Sequence, residues 1–443
     1  MKSAIVFTSA LLLMTAIAPA QAPPPLVALG DSIGEGVQSA DASTRTQPFE
    51  FSNLIAQQMG ATFALPLIDG GALTNIFSTR GRTRIDSSLV SPNVAVSGAT
   101  IHDLLNSQYM PPVDTETDLV LEPLTLSQIQ RAEAANASLN VVWIGNNDVD
   151  GAVLAWNHLD ATQLTPVDSF TADYGEMVSR LKALSGKTVV GTIPDVTQIG
   201  FVFSPSDLMR FAGTDCGLPD GSYTTAPSAL MIKLGLSDCS LLQDPNYVLD
   251  PTEIATIRDR LQTFNQIITS DATQAGMAVV DIYGTFISYL TNPPVFFGVP
   301  LTPHFNGGLL SLDGVHPSNT GHALAANGFI QAANQAFGTS IPPLTQDALN
   351  NIAAADPFID WDGDLVVRGR PLAGLLETLG PFLGVSGDYT DHPGAARVAP
   401  SARIDKRLGQ QFMQQYWATK GLPPSTPWTK ADAIAAMQAI FGR

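Results

Sequence analysis

The chain has 443 residues, of which 45% are hydrophobic and 14% charged, and its formal net charge is −18. The composition is that of an ordinary globular protein, and the length exceeds the ~100–200 residues usual for one domain. Because a polyanion repels phosphate groups, the sequence argues against a nucleic-acid partner and against adsorption to anionic lipid by charge alone.

The N-terminal segment has the pattern of an export signal. Lys2 precedes an almost wholly apolar run, Ala4–Ile17, and Ala20-Gln21-Ala22 follows as a small-x-small site. We therefore expect residues 1–22 to be a signal peptide cleaved near Ala22, and the protein to be secreted or periplasmic. A membrane anchor is the alternative, but the run is short for a span. No later segment has 18 uninterrupted apolar residues, so no stable membrane insertion is expected.

Five short apolar runs predict strands that are covered on both faces. Helix-like stretches lie between or after these runs. The alternation predicts an α/β fold with a parallel sheet and helices on both sides. The strands are predicted at Pro25–Leu29, Asn93–Val96, Asn140–Ile144, Lys187–Ile193 and Met277–Ile282. The helices are predicted at Phe49–Met59, Leu126–Ala135, Phe170–Leu184, Thr252–Gln274 and Ser318–Phe337.

Two long connections, Thr62–Ser91 and Thr197–Leu249, interrupt the alternation and are typical of lids, binding loops or decorations. Ile341-Pro342-Pro343 indicates a linker. We accordingly expect one domain over residues 23–339 and a C-terminal extension of unknown role over residues 340–443. The extension has helical patterns at Arg403–Thr419 and Lys430–Phe441.

The chain contains two cysteines, Cys216 and Cys239, 23 positions apart. In an exported protein the simplest expectation is one disulfide between them. A metal or redox pair is the alternative, but it needs more ligands or a closer spacing.

The first chemical motif, Gly30-Asp31-Ser32-Ile33-Gly34-Glu35-Gly36, directly follows the first predicted strand. Ligands of parallel α/β sheets bind at the carboxyl ends of the strands. A serine there, with its hydroxyl exposed and its own N–H free, suits a nucleophile that also stabilises an oxyanion. A phosphate-binding turn is the alternative, but neither Gly-Lys-Ser/Thr nor Gly-x-Gly-x-x-Gly is present.

Three further motifs follow later strands. Gly98 permits close backbone approach to a substrate, and an asparagine of Gly145-Asn146-Asn147-Asp148 can offer its amide to a developing negative charge. Asp313, three residues before His316, can fix the imidazole tautomer and leave Nε2 free to accept a proton. Each motif has an ordinary structural reading as a turn. The four fall on one edge of the predicted sheet, which favours a catalytic site.

Other acidic groups are given structural roles. Asp31 and Asp148 are expected to hold loops, and Glu35 lies either at the cleft edge or exposed in a first helical turn. The run from Asp360 to Asp364 hints at a calcium loop, but it lacks the later ligand positions and the closing glutamate. No metal site and no cofactor are predicted.

The four blocks together resemble the lipolytic Gly-Asp-Ser-Leu family, the SGNH hydrolases, and the resemblance extends from Leu26 to Phe337, with Ile33 in place of the name-giving leucine. It implies a flavodoxin-like three-layer α/β/α fold, with a five-stranded parallel sheet in the order 2-1-3-4-5. Residues 23–339 would then form the hydrolase domain.

The resemblance also implies the role of each motif. Ser32 is the nucleophile, His316 the general base and then acid, and Asp313 orients His316. The oxyanion hole consists of the Ser32 N–H, the Gly98 N–H and the Asn147 side chain.

The function predicted is a secreted serine ester hydrolase that cleaves carboxylic esters of acyl, lipid-like substrates through an acyl-enzyme. An acetylesterase that deacetylates glycans and a non-catalytic secreted binding protein on the same fold are the alternatives. The expected partner is a small-molecule or lipid ester, and the oligomeric state is left open. Apolar side chains in the second long connection either line an acyl pocket or simply pack: Phe201, Phe203, Leu208, Met209 and Phe211.

Overall fold

The computed structural model describes residues 25–70, 77, 81–369, 380–383, 391–398 and 402–441. The predicted signal peptide, residues 1–22, lies outside these residues. Within the described ranges, no helix has both the length and the apolar character needed to cross a membrane.

Four parallel strands form the central sheet, in the order β1 (Leu26–Gly30), β4 (Leu139–Trp143), β5 (Lys187–Gly191) and β8 (Ala278–Val280). Every residue of β1 and β4 is buried, as expected for strands covered on both faces. The strands of the described residues are β1 (Leu26–Gly30), β2 (Ile68–Asp69), β3 (Thr83–Arg84), β4 (Leu139–Trp143), β5 (Lys187–Gly191), β6 (Val202–Phe203), β7 (Thr224–Thr225), β8 (Ala278–Val280), β9 (Val295–Phe296) and β10 (Val299–Pro300).

The second predicted strand, Asn93–Val96, is not a regular strand, so the expected five-stranded sheet is a four-stranded one. The segment lies beside β1 through one parallel bridge, Ala28 to Asn93, and through hydrogen bonds from Val94 N to Ala28 O and Val96 N to Gly30 O. The Asn93 side chain accepts from the Ala95 N–H at 3.1 Å. Such a local side-chain bond competes with a sheet ladder. The segment nevertheless occupies the edge position that the predicted order 2-1-3-4-5 assigns to it.

Helices cover both faces of the sheet and complete the three layers. Val27 and Leu29 of β1 point into one core, while Leu26 and Ala28 point into the other. This alternation is the period of two that a strand imposes on its side chains. The first core includes residues of the helices Ile101–Asn106, Gln128–Ala135, Val167–Lys182 and Pro251–Gln274, and the second includes residues of the helices Phe51–Gln58 and Asn319–Phe337.

The helices are α1 (Ser32–Glu35), α2 (Phe51–Gln58), α3 (Ile101–Asn106), α4 (Glu116–Leu121), α5 (Gln128–Ala135), α6 (Asn147–Leu154), α7 (Val167–Lys182), α8 (Pro205–Ala212), α9 (Ala226–Lys233), α10 (Pro251–Gln274), α11 (Ile282–Thr291), α12 (Asn319–Phe337), α13 (Gln346–Ala355), α14 (Gly380–Leu383), α15 (Lys406–Thr419) and α16 (Lys430–Phe441). Short 3₁₀ helices lie at Gln47–Phe49, Cys239–Gln243 and Pro245–Tyr247. The seven predicted helices correspond to α2, α5, α7, α10, α12, α15 and α16.

The connection Thr197–Leu249 is not an open loop, because it contains α8, α9 and a two-stranded ribbon of β6 and β7. The expected disulfide joins Cys216 and Cys239 within it, with an S–S distance of 2.05 Å. Most of the apolar side chains considered for an acyl pocket are buried in the first core, and Met209 is 45% exposed. The four buried side chains, Phe201, Phe203, Leu208 and Phe211, therefore pack in the core rather than line an open cleft.

The segment after the predicted linker packs closely on the rest of the chain. The Asp356 carboxylate accepts hydrogen bonds from the N–H and the hydroxyl of Thr320, at the start of α12, both at 2.8 Å. Farther along, Asp405 N donates to Lys233 O, and the ring of Phe412 contacts Phe77. The domain boundary at residue 339 stays a prediction.

Candidate active site

Ser32 lies at the point where β1 ends and α1 begins. Asp31 caps the helix, since its carboxylate accepts from the Ile33 N–H at 3.0 Å. A side chain at Gly30 would collide with the carbonyl oxygen of Trp143 on the neighbouring strand. Glycine therefore allows β1 to pair tightly up to the residue that precedes this turn.

Asp313 and His316 lie on the loop that leads into α12. The Asp313 carboxylate accepts from the backbone N–H groups of Val315 and His316 at 2.8 and 2.9 Å, which closes a tight turn. Its other oxygen lies 2.7 Å from His316 Nδ1. His316 Nε2 lies 2.8 Å from the hydroxyl oxygen of Ser32, 284 positions away in the chain. The three predicted triad residues are thus joined by one continuous hydrogen-bonded path.

The electrostatics of the pair suit a proton acceptor at Nε2. Burial alone raises the pKa of Asp313, but the charge and hydrogen bond of His316, with two backbone donors, lower it to about 2. Burial lowers the pKa of His316, but Asp313 outweighs this effect and the pKa of His316 is raised. Asp313 therefore stays ionised and favours the tautomer in which Nδ1 carries the proton.

A second loop, which the sequence did not indicate, also holds Asp313. Ala40 N donates to the carboxylate at 2.7 Å, and the hydroxyl of Ser311 donates to it at 3.1 Å. Ser39 N in turn donates to that hydroxyl oxygen at 2.9 Å. Ser39 and Ala40 have φ angles of 54° and 60°, a left-handed conformation that side-chain types other than glycine rarely adopt. No residue pattern would have shown that this backbone faces the carboxylate.

The predicted oxyanion residues come from two neighbouring loops. Gly98 has a φ of +79°, and the space where its Cβ would point is open. Asn147 is the first residue of α6, and its side-chain amide donates to the carbonyl of Ala99 at 3.0 Å. An amide nitrogen has two hydrogens, so this bond leaves one donor of Asn147 available.

Asn146, which the sequence did not single out, links the same loop to the Ser32 turn. Its side-chain amide donates to Asp31 at 2.7 Å, and both side chains are buried. The loops that follow β1, the Asn93–Val96 segment and β4 are therefore connected by side-chain hydrogen bonds. This brings Ser32, Gly98 and Asn147 to one edge of the sheet.

Glu35 is fully buried rather than exposed in the first helical turn. Its carboxylate accepts from both the N–H and the hydroxyl of Ser97, at 2.6 and 2.7 Å. Arg82 lies 3.7 Å from its other oxygen. Burial raises the pKa of Glu35, and the nearby charge of Glu116 raises it further. The residue holds the backbone that directly precedes Gly98.

Three buried carboxyl groups lie around this edge of the sheet. Burial raises the pKa of Asp31 and of Asp148 to about 6, and that of Asp150 to about 8. Asp31 and Asp148 hold loops, as expected, since Asp148 accepts from the Ile101 N–H at 3.0 Å. Among the described residues, the group of side chains with metal-ligand spacing lies elsewhere, in the C-terminal segment.

A model of the GDSL-like lipase/acylhydrolase family matches residues 26–329. The chain belongs to this family. It is accordingly a carboxylic ester hydrolase, and the resemblance inferred from the four sequence blocks is confirmed. No curated protein was found to match the chain.

Two solved structures are similar at a distance. An alpha/beta hydrolase enzyme from the metagenome of Lake Arreo, Spain, is 16% identical, with 71% of this chain and 96% of that chain covered and a TM-score of 0.36. A catalytic mutant of an acetylxylan esterase from Geobacillus stearothermophilus is 16% identical, with 70% and 94% covered and a TM-score of 0.33. Likenesses of this strength do not indicate a substrate.

Proposed function

We propose that the protein is a secreted esterase that cleaves carboxylic esters of acyl substrates, with Ser32 as nucleophile, His316 as general base and Asp313 as the residue that orients His316. The observation that carries the proposal is the hydrogen-bonded path from the Ser32 hydroxyl through His316 to Asp313, with distances of 2.8 and 2.7 Å. Such a path is what a serine needs to become a nucleophile near neutral pH.

The reaction proceeds in two steps. Ser32 Oγ attacks the carbonyl carbon of the ester while His316 Nε2 takes the hydroxyl proton. The tetrahedral intermediate expels the alcohol, which receives that proton from His316, and an acyl-enzyme remains. Water then attacks the acyl-enzyme, loses a proton to His316, and the acid leaves as Ser32 regains its proton.

The oxyanion formed in each step is assigned to the N–H groups of Ser32 and Gly98 and to the side chain of Asn147. The open space beside Gly98 leaves room for a substrate oxygen, and the amide of Asn147 retains one free donor. Removing a single such donor typically costs ~3–4 kcal/mol in the transition state.

An acyl preference is supported by the matching family, which is described as GDSL-like lipase/acylhydrolase. An apolar cavity lies beside Pro317, the residue that follows His316, and its lining includes Leu310, Phe286 and Leu324. Ser32 and His316 are not among the residues that line this cavity, so it does not define where an acyl chain binds.

Secretion is supported by two observations. The apolar run Ala4–Ile17 precedes a signal-peptidase pattern at Ala22. The Cys216–Cys239 disulfide belongs to an oxidising compartment. Expression of the full chain with a C-terminal epitope tests this point, since export predicts a mature N-terminus close to Pro23.

The catalytic proposal is tested with p-nitrophenyl esters of increasing acyl length. Ser32→Ala should lower kcat by at least about 10⁴-fold, because the nucleophile is lost. A fluorophosphonate should label the folded wild type and leave Ser32→Ala unlabelled. Ser169→Ala, at an exposed position on α7, is the matched control and should keep full activity and labelling.

Three outcomes would contradict the proposal. Full activity in Ser32→Ala would exclude the serine mechanism. Release of acetate from acetylated xylan, with little hydrolysis of longer esters, would show that the substrate is an acetylated glycan rather than a longer acyl ester. Absence of any hydrolysis together with glycan binding would favour the binding-protein alternative and would conflict with the family assignment.

A further inference from the structure

The segment from Asp360 to Asp364 folds into a tight acidic turn in the C-terminal part of the chain. Asp360 closes it, because its carboxylate accepts from the N–H groups of Gly363 and Leu365 at 2.6 and 2.9 Å. Asp362 accepts from the Asp364 N–H at 3.1 Å. The turn therefore presents the carboxylates of Asp360 and Asp362 side by side.

A third carboxylate, that of Asp391, reaches the turn from a separate part of the chain. One of its oxygens accepts from the Trp361 N–H at 2.9 Å. The residue is only 8% exposed, and its other oxygen is buried and has no hydrogen-bond partner in the described structure. Leaving a buried carboxylate oxygen unpaired is costly, so this atom indicates a missing ligand.

The spacing of the three carboxylates fits a single ion. One oxygen from each of Asp360, Asp362 and Asp391 lies within 4.8 Å of the others. Calcium–oxygen distances are about 2.3–2.6 Å, so two ligands on opposite sides of one ion are about 5 Å apart. The carboxylates can thus all reach one cation without rearrangement of the backbone.

Among the described residues, no lysine or arginine nitrogen lies within ion-pair distance of the three carboxylates. The guanidinium of Arg397 lies beside the turn, where a side chain on Gly363 would meet it, but it forms no ion pair with these carboxylates. Arg368 is near Asp391, but its guanidinium donates to the backbone oxygens of Ala354 and Asp356, at 3.1 and 2.6 Å. Three like charges at this spacing repel one another unless a cation or a proton compensates them.

We propose that Asp360, Asp362 and Asp391 bind one calcium ion. Oxygen-only ligands select a hard cation, which excludes zinc and copper as the preferred occupant. Calcium is favoured over magnesium because it accepts several protein oxygens in irregular geometry, whereas magnesium prefers to keep its own waters. The sequence argued against a metal because no closing glutamate follows the run from Asp360 to Asp364. In the structure, Asp391 supplies a carboxylate in that role.

The position of the site indicates a structural role for the ion. Ile359, directly before the turn, packs beside Gly308, since a Cβ on Gly308 would lie 3.3 Å from the Ile359 side chain. The ring of Trp361 packs against Phe297. Gly308 belongs to the stretch that leads to Asp313 and His316, and its carbonyl accepts from the Ser318 hydroxyl at 2.8 Å. Calcium would therefore stabilise the acidic turn that packs against the stretch before Asp313 and His316.

The test is calcium binding by the full-length protein after treatment with a chelator. Calorimetric titration with CaCl₂ should give one site with a dissociation constant on the order of 10⁻⁴–10⁻³ M or tighter. Calcium should also raise the melting temperature, since a ligand that binds the folded state stabilises it. Asp391→Asn and Asp362→Asn should each weaken binding about tenfold or more and reduce the thermal shift.

Asp347→Asn, at an exposed position in α13, removes the same charge outside the cluster and should bind calcium like the wild type. If Asp391→Asn fails to fold, the Asp362→Asn comparison decides. The calcium assignment would be overturned if Asp362→Asn bound calcium with wild-type affinity, or if magnesium gave an equal response. It would also be overturned if the wild type showed neither titration heat nor a thermal shift, and a proton would then neutralise the cluster.

Discussion

Glu35 and Ser97 are 62 positions apart, and the buried Glu35 carboxylate accepts hydrogen bonds from both the N–H and the hydroxyl of Ser97. The contact joins the helix that begins with the proposed nucleophile to the residue that precedes Gly98. Glu35 is thus a positioning residue for the backbone N–H that is assigned to the oxyanion hole. Its effect on catalysis acts through the placement of Gly98.

Replacing Glu35 by alanine should loosen the Ser97–Gly98 backbone. The partly buried Ser97 N–H would lose its acceptor, so we expect the free energy of unfolding to fall by about 1–3 kcal/mol. Because Gly98 moves, kcat should decrease about tenfold or more while KM changes little. Urea unfolding and steady-state kinetics measure the two effects. Glu35→Gln retains an acceptor oxygen and should be milder in kcat, and equal losses in both variants would contradict the positioning role.

Alanine at Gly98 should be tolerated sterically but strained in its backbone. The φ of +79° is unfavourable for alanine, at a cost of about 1–2 kcal/mol, although its Cβ would meet no atom within 4 Å. Gly60→Ala is a matched control at the end of α2, since Gly60 has a φ of +65° and the same open surroundings. Both variants should lose similar stability, and Gly98→Ala alone should lose kcat, because its Cβ would occupy the space proposed for the substrate oxygen. An unchanged kcat in Gly98→Ala would show that the substrate oxygen does not lie in that space.

The activity should fall in acid as His316 becomes protonated. Burial lowers the pKa of His316, but Asp313 outweighs it and raises the pKa above the ordinary 6.5. The free enzyme needs neutral His316, so the acidic limb of kcat/KM should lie above pH 6.5. In Asp313→Asn the limb should move to lower pH, and kcat should drop on the order of 10⁴-fold. If the acidic limb of the kcat/KM profile lay at the same pH in Asp313→Asn as in the wild type, a group other than His316 would be responsible for it.

Asp150→Asn should stabilise the protein increasingly as the pH rises. Burial raises the pKa of Asp150 from 3.8 to about 8, so between these values the folded state binds more protons than the unfolded state. This difference makes the Asp150 contribution to stability decrease with rising pH across that window. The variant has no carboxyl group at this position, so its free energy of unfolding should exceed that of the wild type by at least about 1 kcal/mol at pH 8. Urea unfolding at pH 5 and pH 8 measures the change, and Asp259→Asn, at an exposed position, should show none.

The disulfide between Cys216 and Cys239 should contribute about 3 kcal/mol, because it closes a loop of 23 positions. Reduction with dithiothreitol should therefore lower the melting temperature of the wild type. The double variant Cys216→Ser, Cys239→Ser should melt at the reduced wild-type temperature and should not respond to the reductant. A wild type that melts identically with and without reductant would contradict the expected stabilisation.

The fold and the meeting of Ser32, His316 and Asp313 could be predicted because their signals are local. The apolar runs of β1 and β4 read as buried strands, and Ser32, Gly98 and Asn147 follow strand-like segments whose ends meet at one sheet edge. His316 and Asp313 lie on the loop before α12 and could be paired by their spacing of three residues. The sequence therefore indicated which residues meet at this edge, and their catalytic roles stay a proposal.

The remaining features depend on contacts between distant backbone segments. Ala40 donates to Asp313 through a backbone N–H, and no side-chain type reveals where an N–H points. Asn93 forms a local side-chain bond that ends regular strand pairing, a competition that hydrophobic periodicity does not register. Asp391 lies in a stretch with no strand or helix pattern, so its approach to Trp361 could not be read from spacing.

The start of α12 shows that the catalytic loop depends on a distant part of the chain. Thr320 lies four residues after His316. Both its N–H and its hydroxyl donate hydrogen bonds to the carboxylate of Asp356, which comes after the predicted linker. A shortened polypeptide that ended at residue 339 would leave these two donors orphaned in the first turn behind the histidine. Any compact version of this hydrolase, whether engineered or evolved, must therefore provide a substitute acceptor at that helix start.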